Sequence, residues 1–327
     1  MNTPLKITAF AVSLAATFGA AYGVGDVVVP IGTSTDSAAH AEHGGDNTPK
    51  KEGEHGEHTE SGRSTPPGGL QVAENGYSLD LETPRIPAEK KSDLRFSIRD
   101  SADRKVTTFK REHDKELHLI LASRDLGTFR HLHPTRSPGG TWSTEADLPA
   151  AGTYRLFADF TPAAKGAEGL TLGTDLAVSG SYRPAPLPAP AKVAKVDGYT
   201  VALDGRLRPG AASELKLKVA KNGRPVTDLD PYLGAYGHLV ALRSGDLAYL
   251  HVHPNGTPGD GKTKPGPTIS FNATAPSAGT YRLFLDFQHQ GKVRTASFTV
   301  EADRSAQEPA ESRSPEGHDG SEGDHQH

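Results

Sequence analysis

The sequence contains no cysteine, and its single methionine is the first residue. The lack of cysteine excludes disulfides, thiolate nucleophiles, iron–sulfur clusters and zinc–thiolate sites. The lack of internal methionine removes the thioether ligands that suit Cu(I). Any metal site in this chain must therefore be built from nitrogen and oxygen donors.

Apolar residues are also scarce. They make up 35% of the 327 residues, below the roughly 45–50% of a typical globular chain, so part of the chain should lie outside any packed core. The formal net charge is −4, which gives no indication of nucleic acid or another polyanion as partner. Histidine, by contrast, occurs 15 times.

The N-terminal residues 1–25 combine one positive charge, at Lys6, with an uncharged stretch of 19 residues from Ile7 to Gly25. A cationic start followed by an apolar run is typical of a secretory signal peptide. The stretch is also just long enough to span a bilayer as a helix. We therefore expect a signal peptide or a transmembrane anchor here, with the rest of the chain outside the cytoplasm, either secreted or membrane-anchored. A buried core helix fits less well, because a polar tract follows.

Residues 26–70 and 303–327 lack apolar periodicity and are rich in small and polar residues. Such segments cannot bury enough apolar surface to offset their conformational entropy, so both are predicted to be disordered. Their histidines, beside carboxylates, can collect divalent metals weakly, and a solvated spacer is the other interpretation. A proline-rich stretch at 182–192 predicts an extended, semi-rigid linker.

Three sequence blocks occur twice and in the same order, which indicates a duplicated domain. The paired segments are 76–81 and 198–203, 118–134 and 238–254, and 152–160 and 279–287. We therefore expect two domains, at residues 71–181 and 193–302.

Short alternating runs in each repeat predict half-buried strands, as in Leu94–Ile98 and Leu215–Val219. Glycine, proline, aspartate and asparagine separate these runs, and no segment has a convincing helical period. The predicted fold class is all-β, with two tandem immunoglobulin-like antiparallel β-sandwich domains, an N-terminal hydrophobic helix and disordered tails. The Gly-Thr-Tyr sequence of the third block resembles a tyrosine corner, so Tyr154 and Tyr281 are predicted to be structural.

The repeated 17-residue block is typical of a β-hairpin. With two-residue turns at Asp125-Leu126 and Gly245-Asp246, residues face each other when their numbers sum to 251 in the first repeat and to 491 in the second. The same register therefore follows from two sequences with different turn residues.

This register brings three histidines of each repeat onto one face. In the first repeat His118 faces His133, and His131 lies on the same side because side chains alternate along a strand. The equivalent residues of the second repeat are His238, His251 and His253. Facing residues have Cβ atoms about 5 Å apart, so three imidazoles can converge on one ion at roughly 2 Å. We expect each triad to bind a metal ion, with a structural or hydrogen-bonding role as the alternative.

Asp159 and Asp286 occupy equivalent places in the third block. Each is a candidate fourth ligand, or a carboxylate that holds a ligating imidazole in place, and a surface aspartate is the other interpretation. His113 and His289 have no counterpart in the other repeat and are expected to be incidental. Nitrogen and oxygen donors favour Cu(II) or Zn(II).

The segments LHLILASRDLGTFRHLHP and GHLVALRSGDLAYLHVHP resemble those of secreted or membrane-anchored actinobacterial proteins described as heavy-metal-binding. More distantly, they are similar to the YtkA-like and FixH-like extracytoplasmic β-domains. The resemblance covers roughly residues 70 to 302. It implies an immunoglobulin-like fold and a role in copper or other metal handling, but no ligand set.

The sequence therefore predicts an extracytoplasmic metal-binding protein, a buffer or chaperone for Cu(II) or Zn(II), whose partners are the ion and, through an uncleaved N-terminal segment, the membrane. No nucleic-acid motif is present, and no protein partner is indicated. The alternative is a non-catalytic cell-surface interaction or stalk protein with structural histidines. An enzyme is not expected, because no acid–base group recurs convincingly beside the histidines of both repeats.

Overall fold

The computed structural model describes residues 66–250 and 252–303, except for the side chain of His253. Every regular element in these two ranges is a β-strand. This part of the chain accordingly contains no apolar helix of membrane-spanning length. The predicted N-terminal helix and most of the predicted disordered tails lie outside the described residues. The all-β prediction is confirmed for the part of the chain that the structure describes.

The first repeat is a sandwich of two sheets. Its strands are β1 (Ala73–Glu74), β2 (Tyr77–Leu81), β3 (Arg85–Pro87), β4 (Lys91–Arg99), β5 (Leu117–Ser123), β6 (Phe129–Leu132), β7 (Thr135–Arg136), β8 (Thr141–Asp147), β9 (Gly152–Phe160) and β10 (Leu170–Ser179). One sheet has the order β1-β2-β4-β8-β7 and the other β3-β10-β9-β5-β6. The pairing is antiparallel throughout these sheets, as predicted, except that β3 and β10 are parallel.

The second repeat has the same two-layer architecture. Its strands are β11 (Val193–Val196), β12 (Tyr199–Asp204), β13 (Ala212–Lys221), β14 (Arg224–Pro225), β15 (His238–Arg243), β16 (Tyr249–Leu250), β17 (His253–Pro254), β18 (Thr268–Thr274), β19 (Gly279–His289) and β20 (Lys292–Ala302). Among the described residues, one sheet has the order β11-β12-β13-β18-β17, with β14 also paired to β13. The other has the order β16-β15-β19-β20.

Alternation along the strands places one face of each sheet in the core. In β4, Leu94 and Phe96 are fully buried while Arg95 between them is exposed. In β13, Leu215 and Leu217 are buried in the same way. Burying a side chain of this size contributes about 1.5–3 kcal/mol, so the period-two pattern of the sequence is sufficient to fix which face of each sheet is inside.

Both predicted tyrosine corners are present. The hydroxyl of Tyr154 donates to the carbonyl oxygen of Ala150 at 2.9 Å, and that of Tyr281 donates to the carbonyl oxygen of Ser277 at 2.8 Å. Both tyrosines are fully buried. Their structural role, inferred from the Gly-Thr-Tyr sequence, is therefore confirmed.

The two repeats pack against each other through the outer faces of the β5–β9 and β15–β19 sheets. A buried apolar cluster there includes Ile120 and Phe157 of the first repeat and Val240 and Tyr249 of the second. The rings of Phe129 and Phe284 stack across the junction, with centroids 4.2 Å apart and planes 6° from parallel. In terms of residue contacts, both repeats belong to one compact unit, Arg63–His327.

Residues 66–70, which were predicted to end the disordered N-terminal tract, are ordered against both repeats. The backbone N–H of Tyr249 in the second repeat donates to the carbonyl oxygen of Gly68 at 3.0 Å. Gly69 has a φ of +75°, and a Cβ there would lie 2.4 Å from a ring carbon of Phe157 in the first repeat. This close approach requires glycine. The segment is ordered because it fits between two surfaces that the sequence pattern does not bring together.

Candidate metal centre

The hairpin register expected for the histidine blocks is confirmed for the strand pairs next to each loop. In the first repeat Ile120 pairs with His131, and in the second Leu242 pairs with Tyr249. These pairs have the sums 251 and 491 that the sequence predicts. The predicted facing of His238 and His253 is not among the described strand pairs, because His253 pairs with Asn272 in the other sheet. The prediction of the register was correct because it depends only on the length of the block and on the alternation of its side chains.

The turns, however, differ from the prediction. Each connection is a four-residue loop rather than a two-residue turn. A backbone hydrogen bond closes each loop, from the N–H of Ser123 to the carbonyl oxygen of Thr128 in the first repeat and from the N–H of Arg243 to that of Ala248 in the second. Leu126 adopts a left-handed backbone with a φ of 57°. Its side chain is buried in the cluster between the repeats, which explains why the loop is wide.

The three histidines of the first repeat converge. The ring centroids of His118 and His133 are 5.3 Å apart, those of His118 and His131 are 5.3 Å apart, and those of His131 and His133 are 4.8 Å apart. Each offers one nitrogen to a group whose members all lie within 4.8 Å of one another. Ligands around a tetrahedral zinc ion, with Zn–N bonds of about 2.0–2.1 Å, place imidazole centroids about 5 Å apart. We name these three residues the histidine triad.

Hydrogen bonds determine which nitrogen of His118 carries the proton. Its Nε2 lies 3.3 Å from the carbonyl oxygen of Glu112, and because a carbonyl oxygen only accepts, Nε2 is the donor. In a neutral ring Nδ1 then keeps its lone pair. Nδ1 of His118 points to Nε2 of His131, at 3.1 Å.

His131 is oriented by a carboxylate. Its Nδ1 donates to Oδ2 of Asp286 at 2.9 Å, so in a neutral His131 ring Nε2 also keeps its lone pair. Two lone pairs then face each other across the gap between His118 and His131, which is unfavourable unless a proton or a cation lies between them. Two nitrogens bound to one tetrahedral zinc ion lie about 3.3 Å apart, close to the separation that is present.

Two histidines of the triad are held in the neutral form that binds metal. Burial, assisted by the neighbouring His131, lowers the pKa of His118 to about 3. Burial likewise lowers the pKa of His133 to about 3. At neutral pH each of these rings has a lone pair available for coordination.

His133 has a buried nitrogen without a hydrogen bond. Its Nε2 is shielded from solvent and has no hydrogen-bond partner among the described residues. Leaving such an atom unsatisfied costs about 1–3 kcal/mol, a cost that a bound cation would relieve. The donor set, three imidazoles beside a carboxylate, matches the chemistry of a Zn(II) or Cu(II) site.

Asp286 belongs to the second repeat, although the sequence suggested a role within its own repeat. It lies directly across the sheet from His238, on the face that packs against the first repeat. Its Oδ1 accepts a hydrogen bond from Thr295 at 2.5 Å, while Oδ2 accepts the one from His131. Both carboxylate oxygens are engaged, so Asp286 orients an imidazole, as one of the expected alternatives had it.

In the second repeat the structure describes only part of the predicted site. His238 donates from Nε2 to the carbonyl oxygen of Tyr232 at 2.8 Å, just as His118 donates to Glu112. Burial lowers the pKa of His238 to about 4. His251 and the side chain of His253 lie outside the described part of the structure, so a separate triad in the second repeat stays a prediction.

Asp159 also contributes to the junction between the repeats. The phenol of Tyr249, from the second repeat, donates to its Oδ2 at 3.2 Å, and the hydroxyl of Thr171 donates to its Oδ1 at 3.3 Å. Asp159 faces His118 across the sheet. Asp159 is therefore not a surface aspartate without partners, and its roles as a fourth ligand or as a carboxylate that holds an imidazole stay predictions.

The described member of the second predicted triad is close to the first triad. His238 of the second repeat lies beside the triad of the first, with its ring centroid 6.3 Å from that of His118 and 6.1 Å from that of His131. A cavity of about 50 Å³ is lined by these three histidines together with Asp159 and other residues of both repeats. The outer faces of the two hairpins thus share one polar centre.

Of the two histidines expected to be incidental, one lies at this centre. The ring of His113, on an exposed loop, is 5.3 Å from that of His238 and 6.2 Å from that of His118. No sequence signal identifies it, because it has no counterpart in the second repeat. His289 lies elsewhere and is structural, since its Nδ1 is 2.7 Å from the buried hydroxyl of Tyr199.

Several solved structures are remotely similar to this chain. The adhesin FdeC of Escherichia coli is 13% identical, over 71% of this chain and 65% of that chain, with a TM-score of 0.22. The D00-D0 domain of intimin is 12% identical, over 69% and 99% of the two chains, with a TM-score of 0.22. Domains 4 and 5 of the S-layer protein SbsC are 9% identical, over 71% and 98%, with a TM-score of 0.21. The chain spans less than two thirds of the FdeC structure, and at these TM-scores the likenesses carry no functional argument.

Sequence comparison is more specific. No curated protein matches the chain significantly, and the resemblance to YtkA-like and FixH-like domains stays a prediction. Residues 71–168 and 194–304 each match the model of a family described as a domain of unknown function, DUF8832. Because the two matched stretches cover more than half of the sequence, this chain belongs to the DUF8832 family and carries its domain twice in tandem.

Proposed function

We propose that this protein binds a divalent metal ion, Cu(II) or Zn(II), through His118, His131 and His133, with Asp286 holding His131 in its ligating orientation. It serves as a metal buffer or chaperone rather than as an enzyme. The export expected from residues 1–25 places this activity outside the cytoplasm, either on the membrane or in the secreted protein.

The buried, unpartnered Nε2 of His133 carries this proposal. The competing explanation is that the triad has a purely structural role. A second proton on His131 would then relieve the repulsion between the facing lone pairs of His118 and His131. Such a proton would let Nε2 of His131 donate to Nδ1 of His118. It would leave Nε2 of His133 without a partner, whereas a cation in the triad accounts for all three rings together.

The donor set favours borderline metals. Three neutral imidazoles suit Zn(II) and Cu(II), and the absence of thiolate and thioether ligands disfavours Cu(I). Copper is expected to bind more tightly than zinc at a site of given geometry. Asp286, hydrogen-bonded through His131 and Thr295, belongs to the outer-shell carboxylates that raise the basicity of a ligating histidine.

Storage or transfer fits the surroundings of the triad better than catalysis does. A hydrolytic metal site needs an open coordination position and a free acid–base group. Both oxygens of Asp286 accept hydrogen bonds, and those of Asp159 accept them from Tyr249 and Thr171. Each carboxylate therefore already holds neighbouring side chains in place, which supports a structural role for both.

Thermal unfolding of the full-length protein, first stripped of metal with a chelator, tests the proposal. An ion that binds only the folded state stabilises it by RT ln(1 + [L]/Kd), about 2.7 kcal/mol at a hundredfold excess over Kd. Weak binding to the tails is expected to add nothing to this shift, because segments predicted to be disordered bind the ion equally before and after unfolding. We expect Zn(II) and Cu(II) to raise the Tm of the wild-type protein.

The variant His133→Leu is expected to abolish the metal-dependent rise in Tm. The tail variant His58→Gln removes a histidine outside the triad and should leave the rise unchanged. If the wild-type Tm does not respond to either metal, or if His133→Leu responds as the wild type does, the triad is not a metal site.

A further inference from the structure

The triad of the first repeat lies beside the surface of the second repeat. His238 lies there, with its ring centroid about 6 Å from two rings of the triad. It lines the same small cavity as His118 and His131. An imidazole in this place is near enough to the triad to share an ion with it.

The hydrogen bond that His238 makes through Nε2 leaves its Nδ1 free to bind a metal ion. Its Nε2 donates to the carbonyl oxygen of Tyr232, six residues earlier in the chain, so that Nδ1 keeps its lone pair in the neutral ring. The same pattern holds in the first repeat, where Nε2 of His118 donates to Glu112 and Nδ1 belongs to the triad. The duplication therefore provides two imidazoles with the same nitrogen free, one on each side of the junction.

We propose that His238 is the fourth ligand, so that a single ion is held by three histidines of the first repeat and one of the second. This inference rests on metal binding at the triad. It replaces the expectation of two independent sites with one shared centre. Tetrahedral zinc with four imidazoles has ring centroids about 5 Å apart, and the separations of 6.1 and 6.3 Å are larger. Binding is thus expected to draw His238 inward by about 1 Å.

Such a movement is coupled to the docking of the repeats. His238 and Asp286 face each other in the β15–β19 pair. Asp286 also accepts a hydrogen bond from His131 of the first repeat. Two adjacent side chains of the second repeat thus act on the ion, one as a ligand and one through His131. The ion is expected to tighten the junction between repeats, and by linkage a tighter junction increases affinity for the ion.

Electron paramagnetic resonance of the full-length protein with Cu(II), added below one equivalent so that the tightest site fills first, counts the bound nitrogens directly. The wild-type spectrum is expected to show superhyperfine coupling to four nitrogens. The variant His238→Gln keeps an amide donor for the carbonyl oxygen of Tyr232. It is expected to show three coupled nitrogens and an affinity at least about tenfold lower.

The control is His58→Gln, which removes a histidine of the N-terminal tract and should leave the nitrogen count and affinity unchanged. Three nitrogens in the wild type, an unaltered spectrum in His238→Gln, or two equally tight ions per chain would overturn the shared centre. These outcomes leave the triad intact as a metal site. Absence of any bound Cu(II), by contrast, removes the proposed function itself. The wild-type count needs no variant and so does not depend on how His238→Gln folds.

Discussion

Asp286 of the second repeat accepts a hydrogen bond from Nδ1 of His131 in the first repeat, across a sequence separation of 155 residues. Both side chains are almost completely buried, with 6% of His131 and 5% of Asp286 exposed. The pair therefore connects the proposed metal centre to the packing of one repeat on the other. Loss of either side chain is expected to weaken both metal binding and the packing of the repeats.

The variant Asp286→Asn is expected to lower the affinity for Zn(II) by about tenfold to a hundredfold, because loss of an outer-shell carboxylate weakens the ligating imidazole. Calorimetric titration of the full-length protein measures this. Asp228→Asn is the control, since Asp228 lies 3.2 Å from His289, away from the triad, and its loss should leave the affinity unchanged. Equal affinities for Asp286→Asn and wild type would show that Asp286 does not support a ligand.

Two histidine variants are expected to differ sharply in the stability of the metal-free protein. His131→Leu leaves the carboxylate of Asp286 buried without its partner, which should reduce the free energy of unfolding by about 3 kcal/mol or more. His133→Leu removes a buried nitrogen that has no partner, so the change should be within about 1 kcal/mol. Urea unfolding checks both. A cost for His133→Leu as large as that for His131→Leu would mean that His133 makes a stabilising contact without metal.

The stability of the metal-free protein should depend on pH. Burial lowers the pKa of His118 and His133 to about 3 and that of His238 to about 4, against about 6.5 in an unfolded chain. Below that value the unfolded state binds protons that the folded state does not. The stabilisation is therefore complete above about pH 6.5 and is lost as the pH falls toward the folded-state values.

Denaturant unfolding between about pH 5 and 6.5 isolates this effect, because carboxylates mostly titrate lower. The free energy of unfolding should fall with decreasing pH in this window, and it should fall less in His133→Leu, which lacks one of the shifted groups. A flat profile in the wild type would contradict the burial of neutral histidines.

The stacked pair Phe129 and Phe284 should dominate the junction between repeats. Each side chain is more than nine-tenths buried, and truncation to alanine is expected to cost about 3 kcal/mol. A double-mutant cycle in urea should give a coupling of about 0.5–1.5 kcal/mol for the aromatic contact. Strict additivity of the two single variants would show that the repeats do not depend on this contact.

The tyrosine corners offer a test within each repeat. Tyr154→Phe and Tyr281→Phe each remove one hydrogen bond to a backbone carbonyl while keeping the ring, so each should cost about 1 kcal/mol. Thermal unfolding should show a lowered Tm with no change in metal affinity. A change in metal affinity would show that the tyrosine corner influences the proposed metal centre.

Much of the first triad could be predicted because it depends on local geometry. The register of the hairpin follows from its length, and alternation then places His118, His131 and His133 on one face. The turn was predicted wrongly because Leu126 is buried between the repeats, and the sequence does not indicate that this surface exists. His113 was missed for a similar reason, since its position beside His238 results from packing alone.

A weak signal for the junction was present in the sequence. The runs 119–122 and 239–242 are apolar at every position, which is typical of a strand covered on both faces. Such a run does not reveal what covers the second face. The structure shows that each repeat covers the other.

The sequence by itself determined the donor chemistry, the duplication and the face that carries the histidines, because composition and period-two alternation are local properties. Only the tertiary structure decided that the faces of the two repeats meet, and that Asp286 and His238 therefore belong to the same centre as His131. That arrangement depends on the packing of apolar outer faces between residues more than a hundred positions apart. Because the hydrophobic effect is non-directional, the apolar runs in the sequence do not indicate which surface covers them.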